Sequence, residues 1–154
     1  MFGQQIDERH LMHVLVQQNP LSPAQYDEVL GRARNLSLLA RERPDEMLRG
    51  LLVIRGTEPP SWTVRERVAE LEELAPRWDI AMVFESVLIR TMEKAVACLR
   101  GNPKHRRAVF ATVEEACEWL LAGGADALTM NSMYRRALRE FEERGGEAPL
   151  RRPA

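Results

Sequence analysis

The chain has 154 residues, 45% of them hydrophobic and 29% charged, and its 22 basic and 23 acidic side chains leave a formal net charge of −1. This length and composition are typical of one packed domain and exclude a largely disordered chain. A net charge near zero provides no general attraction for nucleic acid. The short basic stretches, Lys104–Arg107 and Arg151–Arg152, have no aromatic neighbours for base stacking, so we expect no nucleic-acid partner.

The sequence also indicates the cellular location of the protein. No stretch approaches the roughly 18 apolar residues of a membrane helix, and the first residues lack the pattern of a secretory signal, so we expect no membrane insertion. Cys98 and Cys117 both fall in predicted helices, where a thiol usually packs as a small apolar group. Together these features favour a cytoplasmic protein.

The first part of the chain predicts two strands and a long helix. Phe2–Ile6 is a short strand that could pair with the apolar run His10–Val16, which ends at the breaker Asn19-Pro20. Ser22 is a suitable helix cap, and the helix that follows should end at Pro44.

Three strand-and-helix units follow along the chain. Their strands are predicted at the apolar runs Gly50–Ile54, Asp79–Glu85 and Arg107–Ala111. Their helices are predicted to begin at capping residues, at Ser61 or Thr63, at Ser86, and at Thr112. Because each connection is long enough for a crossover, we expect a mixed, mostly parallel sheet of four to five strands in an α/β fold.

A last amphipathic helix is predicted at Asn131–Arg144. Its apolar side, which carries Tyr134, Leu138 and Phe141, must cover an apolar surface, either on its own domain or on a second copy of the chain. We therefore expect an α/β domain at 1–122, a C-terminal helical extension at 123–145 and a disordered tail at 146–154.

No catalytic, cofactor or metal site is predicted, although three pairs of side chains invite a chemical interpretation: His10 with His13, Cys98 with His105, and Glu114 with Glu115. Residues three apart on a strand point to opposite faces, which argues against a metal site at the histidines. A nucleophilic cysteine would need a third, orienting group. The glutamates are explained by a capping box.

The loop Arg55–Trp62 follows a buried strand, at the edge of the sheet where open α/β folds bind ligands. Thr57, Ser61 and Thr63 lie close to a helix start, which favours negative charge, so they are candidate phosphorylation sites. The simpler interpretation is that Ser61 or Thr63 only caps the helix and that Pro59-Pro60 forms a stiff turn. Arg55 and Trp62 are candidate interface residues, because tryptophan is common in binding hot spots; Trp62 could instead cover the edge of the core.

The segment Ala108–Leu120 reads AVFATVEEACEWL and resembles the last strand and helix of the SpoIIAA-like, or STAS-like, domains. The order of elements over residues 1–122 is similar to that family. The resemblance implies a mixed sheet layered with helices and a role in protein interaction, as in the antagonists of anti-sigma factors that are phosphorylated on a serine. Those proteins carry an Asp-x-Ser type motif where this chain has Glu58–Ser61.

The function expected from these observations is regulatory or scaffolding, without catalysis. Partner binding is expected through Arg55, Trp62, Tyr134, Leu138 and Phe141, and the partner could be a second copy of the chain. The alternative is a module that binds a small ligand or lipid in an apolar cleft between the sheet and the helices.

Overall fold

The computed structural model describes residues 1–99 and 102–147, without the side chain of Leu99. The greater part of the predicted disordered tail, and with it Arg151–Arg152, lies outside this part of the chain. No helix within it is both long and apolar enough to cross a membrane.

The described part of the chain forms one sheet of five strands with five helices. The strands are β1 (Phe2–Asp7), β2 (Met12–Gln18), β3 (Leu48–Arg55), β4 (Trp78–Phe84) and β5 (His105–Phe110). The helices are α1 (Pro23–Glu42), α2 (Trp62–Leu74), α3 (Val87–Leu99), α4 (Val113–Ala122) and α5 (Ala127–Glu143). The strands lie in the order β1-β2-β3-β4-β5; β1 is antiparallel to β2 and the other three pairs are parallel. The predicted α/β class with a mixed, mostly parallel sheet is confirmed.

Short polar side chains determine where the helices begin. Ser22 and Thr112 cap their helices as predicted, and both form capping boxes, with Gln25 and Glu115. Helix α5 begins at Ala127, earlier than predicted, because the Asp126 carboxylate accepts a hydrogen bond from the Thr129 N–H at 2.8 Å.

The helices divide between the two faces of the sheet. Helices α1, α2 and α3 are the crossovers between successive parallel strands, and right-handed crossovers that proceed in one direction across a sheet all lie on the same face. Helices α4 and α5 cover the opposite face, where one continuous core joins strands β2 to β4 to both helices. Its strand residues are almost fully buried: Met12, Val14, Val16, Leu51, Val53, Ala81 and Val83.

Helix α5 packs against β1 and β2 of its own chain. At Gly3 a β-carbon would overlap the carbonyl oxygen of Ala137, so the absence of a side chain lets the helix backbone approach the edge strand. Met130, Met133 and Phe141 of α5 are completely buried in this contact. The segment predicted as an extension at 123–145 therefore shares the core of the domain predicted at 1–122.

Candidate functional site

On the face of the sheet beneath helices α1, α2 and α3, the described residues form no continuous core. Its buried apolar residues form three separate clusters, centred on Leu36 and Trp78, on Leu15 and Val29, and on Ile54 and Phe84. Between these clusters lies a cavity of about 500 Å³. Protein interiors are normally packed as tightly as organic crystals, so a cavity of this size is unusual between two layers of a domain. It distinguishes this face of the sheet from the opposite face.

The floor of the cavity consists of central strand residues. Leu52, Ile80 and Met82 line it and remain partly exposed, although they lie in the middle of the sheet. On the opposite face, their neighbours Leu51 and Val83 are 1% and 4% exposed. The two faces of the same strands therefore differ in how completely the helices cover them.

Gly50 leaves additional space in this floor. It lies between Leu48 and Leu52 on the central strand β3, on the face that both of these residues turn to the cavity. A β-carbon at Gly50 would make only ordinary contacts with the Ile80 side chain, the nearest at 3.4 Å, so no close backbone approach requires a glycine here. A glycine inside a strand gives up side-chain packing, and at this position it enlarges the cavity.

Helices α1 and α2 form the roof. They pack against each other, while α1 reaches the sheet at β1 and α3 packs on β4 and β5. The inner surface of the roof is mostly apolar, and its lining side chains include Val29, Leu30, Ala33 and Leu36 from α1 and Val64, Val68, Ala69 and Leu71 from α2. The result is a cleft with apolar walls between two layers of the fold.

His13 is a polar residue of the floor on β2. The Gln4 side-chain nitrogen donates to the Val29 carbonyl oxygen at 3.0 Å and lies 2.9 Å from His13 Nε2. Since an amide nitrogen only donates, Nε2 accepts and the neutral ring carries its proton on Nδ1. Burial, with a smaller effect of the Arg32 charge, lowers the pKa of His13 to about 4. His13 is therefore uncharged at neutral pH.

Two ion pairs form the charged side of the cavity. Arg107 of β5 pairs with Glu72 of α2, and burial lowers the pKa of Arg107 from its ordinary value. Arg65 of α2 lies 3.5 Å from Glu93 of α3. All four side chains line the cavity. In sheet register Arg107 stands in the same row as His13, three strands away, which places the two positions about 14 Å apart.

The loop singled out by the sequence lies beside the cavity. Trp62 lines it and is 74% exposed, so it lies at the rim. Ser61 caps α2 by accepting the Val64 N–H at 3.4 Å, and Thr57 and Thr63 are exposed. Arg55 pairs with Glu85 at 2.7 Å. Phosphorylation at the three hydroxyls and partner contacts at Arg55 and Trp62 stay predictions.

The three predicted interface residues on α5 lie away from the cavity, on the other face of the sheet. Phe141 is fully buried in its own chain, which removes it from any surface that a partner could contact. Tyr134 and Leu138 are partly buried against the same core. The burial of these side chains accounts for the apolar side of α5 without a second copy of the chain.

The three pairs of reactive side chains are not assembled into sites. His10 contacts Asp7 at 3.1 Å in the β1–β2 turn, whereas His13 lies in the cavity floor. His105 Nε2 lies 2.9 Å from the Ala75 carbonyl oxygen, and its ring stacks on Trp78. Glu115 serves the capping box. Among residues 1–99 and 102–147, no cluster of three or more histidine, cysteine or acidic side chains is arranged to hold a metal ion.

The cavity residues are largely those that the sequence did not single out. Two signals in the sequence could have indicated this site. One is a glycine inside an apolar strand, Gly50, and the other is charge at the inward-facing positions Glu72 and Arg107. Comparison with family models, curated proteins and solved structures finds no match. The SpoIIAA-like resemblance therefore stays a prediction.

The protonation of His13 should be visible in the pH dependence of stability. Its folded pKa of about 4 lies below the unfolded value of about 6.5, so the unfolded chain takes up the proton first as the pH falls. The stabilisation from neutral His13 is complete above about pH 6.5 and is lost towards pH 4, an expected decrease of about 3 kcal/mol in the free energy of unfolding. Urea unfolding across this range measures it.

In that experiment His13→Gln keeps an acceptor for the Gln4 amide but has no titrating ring, so its stability should vary less between these pH values. His10→Gln, in the partly exposed β1–β2 turn, is the matched control and should retain most of the wild-type pH dependence, apart from the contribution of its contact with Asp7. An unchanged pH dependence in His13→Gln would show that His13 is not a buried neutral histidine.

Proposed function

We propose that the protein is a non-enzymatic binding domain that takes up a small apolar ligand between its sheet and helices α1 and α2. The observation that carries this proposal is the cavity of about 500 Å³ with mostly apolar walls. Pockets for small molecules typically have volumes of about 300–1,000 Å³ and combine apolar walls with a few polar groups. The cavity fits that description in both size and chemistry.

The polar groups of the cavity support binding over catalysis. His13 is the histidine of the lining, and its only acceptor nitrogen is engaged by Gln4. It is therefore not available as a general base. Glu72 and Glu93 are each held in an ion pair with an arginine, so their carboxylates are engaged within the protein rather than by a bound molecule.

The volume indicates the size of the ligand. One molecule of liquid water occupies about 30 Å³, so the cavity accommodates on the order of fifteen groups of that size. A single alkyl chain of moderate length or a small fused-ring terpenoid has this bulk. The proposal is therefore a lipid-like ligand, bound one molecule at a time.

Filling the cavity should abolish binding while preserving the fold. Ala33 lines the cavity from α1, and Ala24 is exposed near the start of the same helix. We expect Ala33→Trp to weaken the binding of the neutral fluorophore N-phenyl-naphthylamine at least about tenfold, a loss of about 1.4 kcal/mol. The measurement is fluorescence titration, with circular dichroism as the check on folding.

Ala24→Trp adds the same side chain outside the cavity and should bind the fluorophore as the wild type does. Equal affinity in all three proteins would place the fluorophore elsewhere. No binding by the folded wild type would contradict the proposed function for ligands of this type.

A second candidate function, regulation through a protein partner, is favoured by exposed apolar residues at one edge of the sheet. Trp62, Val87 and Leu88 are 74%, 67% and 70% exposed. They lie at the beginning of α2 and α3, which follow the carboxyl ends of the neighbouring parallel strands β3 and β4. Apolar residues grouped on a surface mark interaction sites more often than isolated ones do. A cytoplasmic STAS-like domain that forms a homodimer would use this edge.

This second proposal predicts self-association through α3. Leu88→Asp should convert a dimer to a monomer, because a carboxylate in an apolar interface loses its hydration without a partner. Light scattering at micromolar concentration measures the change. The matched control is Leu128→Asp, since Leu128 is 82% exposed at the start of α5 on the other face. A wild-type protein that is monomeric at these concentrations would contradict the homodimer.

A further inference from the structure

We propose that the cavity selects uncharged ligands, such as long-chain alcohols, esters or ketones, and discriminates against fatty-acid anions and cationic amphiphiles. This inference rests on the proposed function and names the ligand class of the same site. Its basis is the arrangement of charge in the lining, where the ionised side chains of the inner walls are already paired with one another.

The ion pair between Glu72 and Arg107 is the more deeply buried of the two. Glu72 and Arg107 are only 9% and 11% exposed in their side chains and contact each other directly. The Arg107 guanidinium also lies 5.6 Å from the centre of the Trp78 ring, whose indole nitrogen donates to the Glu72 carbonyl oxygen at 3.0 Å. These contacts fix the pair in place between the sheet and α2.

The second pair connects the two helices on this side. Glu93 of α3 is 11% exposed and Arg65 of α2 is 36% exposed, with 3.5 Å between nitrogen and oxygen. It neutralises the charge where α2 and α3 approach. The remaining acidic residue of the lining, Glu66, is exposed to solvent at the surface of α2.

The opposite end of the floor is neutral as well. The His13 ring accepts a hydrogen bond from Gln4 and carries no charge at neutral pH. The other polar groups there, from Gln17, Tyr26 and Ser37, provide hydrogen bonds but no countercharge. A ligand that reaches across the floor therefore meets no unpaired ion at either end.

Selection follows from the cost of burying a charge. An ion that leaves water for an apolar site loses its hydration and recovers this free energy only from a countercharge or several hydrogen bonds. In this cavity the Arg107 charge is already balanced by Glu72, and of this pair only the buried Arg107 Nε–H is left without a hydrogen-bond partner in the described part of the chain. A ligand carboxylate could accept one hydrogen bond there but would meet no net positive charge, and a ligand ammonium would have to compete with Arg107 for Glu72. A neutral head group pays neither penalty.

The experiment compares dodecanol, dodecanoate and dodecylammonium as competitors of N-phenyl-naphthylamine at neutral pH, below their aggregation concentrations. For the wild type we expect dodecanol to compete best and both ions to be weaker by at least about tenfold. Dodecanoate competing as well as dodecanol would overturn the inference and leave the cavity as the binding site. No competition by any of the three would count against the proposed function itself.

Variants of the deep pair test the cause. Glu72→Gln leaves the Arg107 charge without its partner carboxylate and should shift the preference towards dodecanoate by about tenfold relative to dodecanol. Arg107→Gln should shift it towards dodecylammonium. The double variant restores neutrality and should return to the wild-type order. Unchanged ratios in folded single variants would overturn the assignment of selectivity to this pair.

Removing one partner of a buried pair can be strongly destabilising, so the more exposed pair provides a second comparison. Glu93→Gln leaves Arg65, which solvent reaches, and should shift the ratio in the same direction as Glu72→Gln but by a smaller factor. A shift towards dodecylammonium in Glu93→Gln would contradict the inference.

Discussion

The right-handed crossover between parallel strands is the constraint on which the rest of this structure depends. Strands β2 to β5 follow one another in order across the sheet, so their three crossover helices must all lie on one face. The other face is then left to α4 and α5. Of these, α5 reaches the antiparallel edge strand because Gly3 offers no side chain to its backbone.

The two faces are packed in different ways, and this difference is the basis of the proposed function. On the face of α4 and α5, Leu51 and Val83 belong to one continuous core. On the other face, α2 packs mainly along α1, and the space that remains above Leu52 and Met82 is the cavity. The continuous core beneath α4 and α5 stabilises the domain, so the packing beneath α1 and α2 can be less complete. A domain built in this way can keep an opening between its layers without losing its fold.

Much of the fold could be predicted from the sequence, because strand runs and helix caps are local signals. Ser22 and Thr112 are found at the helix starts where their hydroxyls were expected, and of the two candidates Ser61 and Thr63 it is Ser61 that caps α2. Asp126 was overlooked as a cap, and α5 was predicted too short at its beginning. The apolar side of α5 indicated that this helix must be covered, either by its own sheet or by a partner. The choice depends on the close approach of α5 to Gly3, which is distant in sequence and therefore could not be predicted. The cavity was expected only as an alternative, since the distance between two packed layers has no local signature. Its polar residues His13 and Arg107 lie in one row across the sheet because of the strand register, which the periodicity of the sequence does not reveal.

The central claim is that a ligand lies between the sheet and helices α1 and α2. The most direct test is nuclear magnetic resonance of the protein with bound N-phenyl-naphthylamine, observing contacts between the fluorophore and assigned side-chain methyl groups. Alternate residues of the same strands serve as internal controls, because Leu52, Ile80 and Met82 face the cavity while Leu51, Val53 and Val83 face the closed core. The account predicts contacts confined to the first set. Contacts to the second set, or to surface methyl groups such as those of Leu88 and Leu128 alone, would contradict it.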